Sequence, residues 1–376
     1  MVAFLSIGIY SVISAMFVAI IGRGKFNEES AFNGIGKRKR SSRQQIFLVA
    51  VLFAVLYTLY NVYCTKTSVS MGGDRLNYSY QFEGYQSTSI GLAVVFKIVK
   101  LLGGSIYNVF YLTTFLYVFT CVYVLIGTPG NNKAALVFFV LTDAIFFSFT
   151  ALKQIYACTF SSIWFLLLTR KKSAKRSIAC WCAILLACLF HDAAIIIVPV
   201  YLAALFIERG KKSFKIKFVL VVLFAAFVFL DKIALLCSNL VSPFAPSVAV
   251  KIREYFFSSR YGVESSPMAF IKGFPFYVIF ILGLFKRKSL VREIEKYDLY
   301  LLLSAVGAVL FLSSVYSYWM YRAVAFFYIP IAIFCGKLRE RLHGGERMIF
   351  GVLVYLSMFV VLLRWIILIY VNYGGF

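Results

Sequence analysis

The chain of 376 residues is 62% hydrophobic, 18% aromatic and only 14% charged, with a mean hydropathy of +0.86. Soluble domains are about half apolar and about a quarter charged, so this composition excludes an ordinary soluble fold and defines a polytopic membrane protein. The formal charge of +24 does not indicate nucleic acid, because the basic residues lie in short runs between apolar segments, the pattern of membrane topology.

Apolar segments follow in order at 2–21, 46–64, 105–126, 134–150, 154–169, 177–190, 193–207, 218–237, 268–285, 298–315, 323–336 and 348–371. The expectation is a single all-α transmembrane domain over 1–376 with about twelve spans. Several are shorter than the ~20 residues that cross ~30 Å of hydrocarbon, so tilted or broken helices are expected among them. The first segment starts at Met1 with no basic leader and no small-residue cleavage site, and reads as a retained helix.

The loops 22–45, 127–133, 170–176, 208–217, 286–297 and 337–347 carry 7, 1, 5, 5, 5 and 4 lysines and arginines, 27 of the chain's 39. Positive loops stay cytoplasmic, so these six are expected on the inner side of the bacterial cytoplasmic membrane, with both termini outside. The parity requires that 90–104, IGLAVVFKIVKLLGG with Lys97 and Lys100, does not cross. It reads as a helix in the outer interface, which makes 65–104 an outer loop with an interfacial helix and 238–267 a second outer loop.

The stretch 177–207 is near-continuous hydrocarbon interrupted once, at His191-Asp192. One helix of that length would span about 46 Å and overshoot the bilayer, so the segment goes out and returns, with His191 at the outer turn. An imidazole beside a carboxylate is costly in lipid and marks a wet cavity, a surface or a site.

Three further outer features share that compartment. The first is MGGDRLNYSYQFEGY, with Asp74, Arg75 and Tyr78; the second is Lys153-Gln154 in FTALKQIYA; the third is YSYWMYRAVAFFYIP, with Trp319, Tyr321 and Arg322. Arg253 and Arg260 in the second outer loop are reserve cations. Each has a plainer reading: Asp74-Arg75 as a surface ion pair, Lys153 and Arg322 as snorkelling cations near an aromatic belt, His191 as a satisfied turn residue. Asp143 ranks second because it sits within its span, and His343 falls in a basic loop. The eight cysteines show no CxxC or metal-type spacing and read as small apolar residues.

The loop GGDRLNYSYQF resembles the G-x-D-x-x-x-Y outer loop of the EpsG/Wzy-like polysaccharide polymerases. LKQIYACTFSSIWFLLL, a basic turn and ILLACLFHDAAIIIVPVYL resemble the same family's Arg-Gln helix, basic loop and histidine-containing pair; YRAVAFFYIP resembles its late Arg-containing segment. The landmarks keep their order from about residue 70 to 335. Lys153 stands where the family usually has arginine, and lysine binds phosphate as a point charge without a bidentate fork.

The resemblance implies a GT-C-like glycosyltransferase that joins repeat units carried on undecaprenyl pyrophosphate at the outer face of the cytoplasmic membrane, with a chain-length regulator as partner. A pyrophosphate leaves as an anion, so the reaction needs cations for the leaving group and a base for the acceptor hydroxyl, and no general acid. His191 is then the base or the group that orients the hydroxyl, partnered by Asp192 or Asp74. Arg75, Lys153 and Arg322, with Gln154 beside them, hold the pyrophosphate, and Tyr78, Tyr321 and Trp319 stack on sugars. No DxD-type motif or outer carboxylate cluster occurs, so the expectation is a metal-independent enzyme without a cofactor. The alternatives are a ligase of the same chemistry, a lipid-linked glycan flippase, and a membrane acyltransferase acting on sugars.

Overall fold

The computed structural model describes residues 9–16, 19–20, 37–66, 74–128, 132–142, 145, 148–149, 151–208, 213–244, 246–257, 267–314, 318–360 and 362–363. Every regular element among them is helical, because a chain this apolar must satisfy its backbone groups within each segment. The first helices are α1 (Lys37–Lys66), α2 (Asp74–Glu83), α3 (Ile90–Leu101), α4 (Ile106–Gly127), α5 (Asn132–Leu141) and α6 (Leu152–Thr169). Next come α7 (Ala174–Phe190), a 3-10 turn (Asp192–Ile196), α8 (Ile197–Glu208), α9 (Ser213–Val228), α10 (Leu230–Val241) and α11 (Pro246–Phe257). The last are α12 (Pro267–Leu290), α13 (Tyr297–Ser313), α14 (Tyr318–Val324), a 3-10 turn (Ala325–Phe327), α15 (Tyr328–Arg341) and α16 (Gly344–Gly351).

Three described stretches are long and apolar enough to cross a membrane: Gln44–Thr65, Ile106–Gly127 and Met320–Arg341. Lys215–Val228 and Leu230–Val241 add a fourth if they act as one span, bent by 80° between them. Other apolar segments form shorter helices; α6 and α7, of 18 and 17 residues, reach only about 25–27 Å. The segment expected at 134–150 behaves differently, since α5 stops at Leu141. Beyond that point, side chains from elsewhere take up its carbonyls: Thr114 Oγ1 donates to Ser148 O at 3.1 Å and Arg75 Nε to Phe149 O at 2.8 Å.

Four of the basic loops gather at one end of the bundle through side-chain bonds. Arg176 at the start of α7 pairs with Glu208 at the end of α8 at 2.6 Å, and Lys296 lies 3.8 Å from the same carboxylate. Lys296 Nζ also donates to Leu168 O and Arg170 O at 2.9 and 3.0 Å, satisfying carbonyls at the end of α6. Lys296 stands at the N-cap of α13 with φ 61, a left-handed conformation that costs a non-glycine residue about 1–2 kcal/mol. Arg341–Glu293 at 3.8 Å and Lys286–Glu346 at 2.6 Å draw the loops after α12 and α15 to the same end.

The Arg176–Glu208 pair also shows that 177–207 goes out and comes back, because the two ends of that stretch meet. The break falls at His191, which ends α7 and begins the 3-10 turn into α8. Nearby, α3 buries Gly91, Leu92, Phe96 and Val99 and exposes Ile90, Val94, Ile98 and Leu101. A Cβ on Gly91 would stand 2.7 Å from the Phe190 ring, so the missing side chain is what lets α3 lie on α7 beside His191.

Candidate active site

At the end of the bundle opposite the basic loops, α2, the N-terminus of α6, the α7–α8 turn and α14 come together. α2 is fastened by Arg75. Its Nε donates to Phe149 O, Nη1 to Thr65 Oγ1 at 2.9 Å and Nη2 to Asn61 Oδ1 at 2.7 Å. Its guanidinium lies 4.7 Å from the Phe110 ring centroid. All three nitrogens are thus engaged within the bundle, and Arg75 acts as a clamp for α2 rather than an open cation.

Neighbours on a helix point about 100° apart, so the clamp aims Asp74 elsewhere. Asp74 Oδ2 lies 3.6 Å from Arg322 Nη2, with the two side chains 43% and 34% exposed. One turn on, Tyr78 is buried against Phe110, and its hydroxyl accepts a long 3.4 Å bond from the Lys153 backbone N–H. Asp74 and Arg322 both act on the Tyr78 phenol, whose pKa burial drives up. The loop and late-segment landmarks, some 250 residues apart in sequence, therefore meet.

Lys153 and Gln154 open α6. Gln154 is buried and its Nε2 donates to Arg322 O at 2.8 Å, while its Oε1, also buried, has no hydrogen-bond partner. A buried amide oxygen left unpaired costs about 1–3 kcal/mol, which marks it as a waiting acceptor. Deeper on α6, Ser161 Oγ donates to Phe326 O at 2.7 Å and secures the 3-10 turn that follows Arg322.

His191 completes the group. Its pKa is pushed down to about 4, first by burial and then by the nearby charges of Arg322 and Lys153, with Asp192 acting in the opposite sense. Its Nδ1 accepts the Ala193 backbone N–H at 3.1 Å. A backbone amide can only donate, so the imidazole lone pair is at Nδ1 and its one proton at Nε2. The histidine therefore offers the site a neutral N–H donor. The Phe326 ring lies edge-on at 6.2 Å, and Tyr156 stacks on Phe190 at 4.6 Å behind it. Asp192 is exposed at the start of the 3-10 turn.

Other expected residues sit elsewhere. Arg253 binds Ser238 Oγ at 2.8 Å and Asn239 Oδ1 at 2.9 Å within the α10–α11 pair. Tyr321 is buried edge-on to Phe311 with Lys272 Nζ 5.1 Å from its ring centroid, so, like Tyr78, its ring packs against the protein instead of standing open for a sugar. Arg260, Asp143, the Gly72-Gly73 pair, both termini and the Trp319 side chain lie outside the described residues. Lys272 was not among the expected residues; its signal was a lone cation inside an apolar span, immediately before Gly273 and three residues before the in-helix Pro275. Among the described residues no three His, Cys, Asp or Glu assemble as a metal-ligand set.

Apolar helices of membrane-spanning length and a polar cluster at one end of their bundle define an integral membrane protein with a chemically equipped end face. More narrowly, the chain belongs to the EpsG family, whose model matches residues 51–375 and so takes in every member of the cluster. Neither the curated proteins nor the solved structures contain a match to it.

Proposed function

We propose that this protein is a bacterial polysaccharide polymerase, a GT-C-like glycosyltransferase of about twelve spans that joins oligosaccharide repeat units carried on undecaprenyl pyrophosphate. The observation that carries the reading is the meeting of Lys153, Arg322 and a neutral, proton-donating His191 from three distant segments. Membership of the EpsG family supports the same chemistry. By the positive-inside rule the basic end faces the cytoplasm and the cluster faces outward, where α3 lies in the interface.

In the reaction, the acceptor hydroxyl oxygen bonds to the donor's anomeric carbon as the bond from that carbon to the pyrophosphate oxygen breaks. The bonding electrons leave with the pyrophosphate. Lys153 and Arg322 stabilise the charge that develops there, and the Nε2–H of His191 adds a hydrogen bond that costs no reorganisation. The hydroxyl proton passes to Asp74, the carboxylate that Arg322 holds in the cluster. Gln154 Oε1 accepts a sugar or acceptor hydroxyl, which satisfies its unpaired oxygen. The histidine thus donates to the leaving group instead of acting as the base or orienting the hydroxyl, and the carboxylate takes the basic role. No step requires a metal, and a chain-length regulator acts outside this chemistry.

The test is to reconstitute the purified protein in liposomes with undecaprenyl-pyrophosphate-linked repeat units. A ladder of longer lipid-linked chains supports the polymerase. Transfer to a different acceptor identifies a ligase, translocation without new bonds a flippase, and acylated sugars an acyltransferase; any of these three overturns the proposal.

A further inference from the structure

α2 leads out of the cluster into a second recess. Asp74, Tyr78 and Gln81 follow at i, i+4 and i+7 on one face of α2, which places Gln81 about 10 Å along the helix from Asp74. There α2 and α3 border an open pocket of about 400 Å3, within the ~300–1,000 Å3 usual for small-ligand sites, lined in part by Gln81, Phe82, Thr88, Phe96, Lys97 and Lys100. Gln81 Oε1 and Thr88 Oγ1 are buried there without a hydrogen-bond partner. Lys97 and Lys100 form no salt bridge among the described residues, and Lys100 Nζ is held 4.7 Å from the Phe82 ring centroid.

We infer that this pocket is a subsite for a sugar of the growing chain that bears an acidic group. Sugar hydroxyls donate to Gln81 Oε1 and Thr88 Oγ1, while the carboxylate or acidic substituent meets Lys97 and Lys100; only a ligand with both chemistries satisfies both halves of the lining. The inference rests on the polymerase reading, because α2 joins the pocket to Asp74 over the length of a short oligosaccharide. The exposed stripe Ile90, Val94, Ile98 and Leu101 sets α3 at lipid-headgroup depth, so an anionic headgroup is the competing occupant.

The experiment titrates the full-length protein in phosphatidylcholine nanodiscs with a glucuronate-containing oligosaccharide and with its carboxyl-reduced form. The expected result is at least tenfold tighter binding of the acidic oligosaccharide, a difference that K97Q/K100Q erases and that added phosphatidylglycerol leaves in place. Equal binding of the two forms, acid preference that persists in K97Q/K100Q, or loss of binding on adding phosphatidylglycerol would each overturn the subsite. Intact acid-selective binding without chain elongation would remove the polymerase reading alone. Elongation without acid-selective binding would remove the subsite alone.

Discussion

The sharpest consequence of the geometry concerns His191. With Nδ1 bound to the Ala193 N–H and the pKa pushed down to about 4, the imidazole is neutral at pH 7, with roughly one molecule in a thousand protonated. What it supplies is the Nε2–H. Removing one preorganised donor to a developing anion costs about 2.7–4 kcal/mol, or about 10²–10³ in rate, so His191→Ala should lose that much elongation. Glutamine places an amide N–H close to where Nε2 stands, whereas asparagine reaches only to the position of Nδ1. His191→Gln should therefore stay within about tenfold of wild type, and His191→Asn should fall with alanine. The pH dependence carries the same sign. A histidine pKa lowered from about 6.5 leaves the neutral form intact across pH 6–8 and loses it only as pH falls toward 4. Its contribution to stability is likewise full above about 6.5 and declines as pH drops through the folded value. The assay is elongation of lipid-linked repeats by reconstituted protein, with insertion checked by size-exclusion profile. A glutamine variant as inactive as alanine, together with a wild-type rate limb near pH 6.5, would refute the donor role and restore His191 as the base.

Asp74→Asn should leave thermal stability within about 1 kcal/mol, since a 3.6 Å pair this exposed is worth little, yet lower elongation by about 10²-fold or more; an equal loss of both would mean a structural role. Arg75→Ala and Arg75→Lys should both destabilise, alanine by about 3–5 kcal/mol, because the buried Asn61 and Phe149 oxygens lose their fork of donors; a thermal-shift assay showing wild-type stability with a raised KM would make Arg75 a substrate cation. Glu208→Gln should cost about 3–5 kcal/mol by leaving Arg176 buried without its carboxylate, and Arg176→Met in the same chain should recover part of that loss.

How much of this was legible in the sequence depends on the length scale of each feature. The break at His191 was legible because 31 apolar residues exceed the bilayer as one helix, and the common end of the basic loops was legible from charge counts. The roles of Asp74 and Arg75 were not, because adjacency in sequence says nothing about which of two diverging side chains faces the site; that is decided by Asn61, Thr65 and Phe149. The direction of the His191 proton was equally hidden, since it is set by one backbone N–H at Ala193. Hydropathy carried 134–150 through as one span, although its later carbonyls are held by Thr114 and Arg75 from other segments. Aromatic residues misled in the same way: Tyr78 and Tyr321 have a composition suited to sugars and a position inside the packing.

The central claim is that a lipid pyrophosphate sits between Lys153, His191 and Arg322. It is tested most directly by photocross-linking the reconstituted protein with a polyprenyl pyrophosphate that carries a diazirine next to its phosphates, and mapping the modified peptides by mass spectrometry. Labels on 151–156, 188–194 and 318–324, lost in Lys153→Ala/Arg322→Ala, are the predicted result. Labels confined to the basic end at 170–176 and 286–297, or to the α10–α11 pair around Arg253, would contradict it.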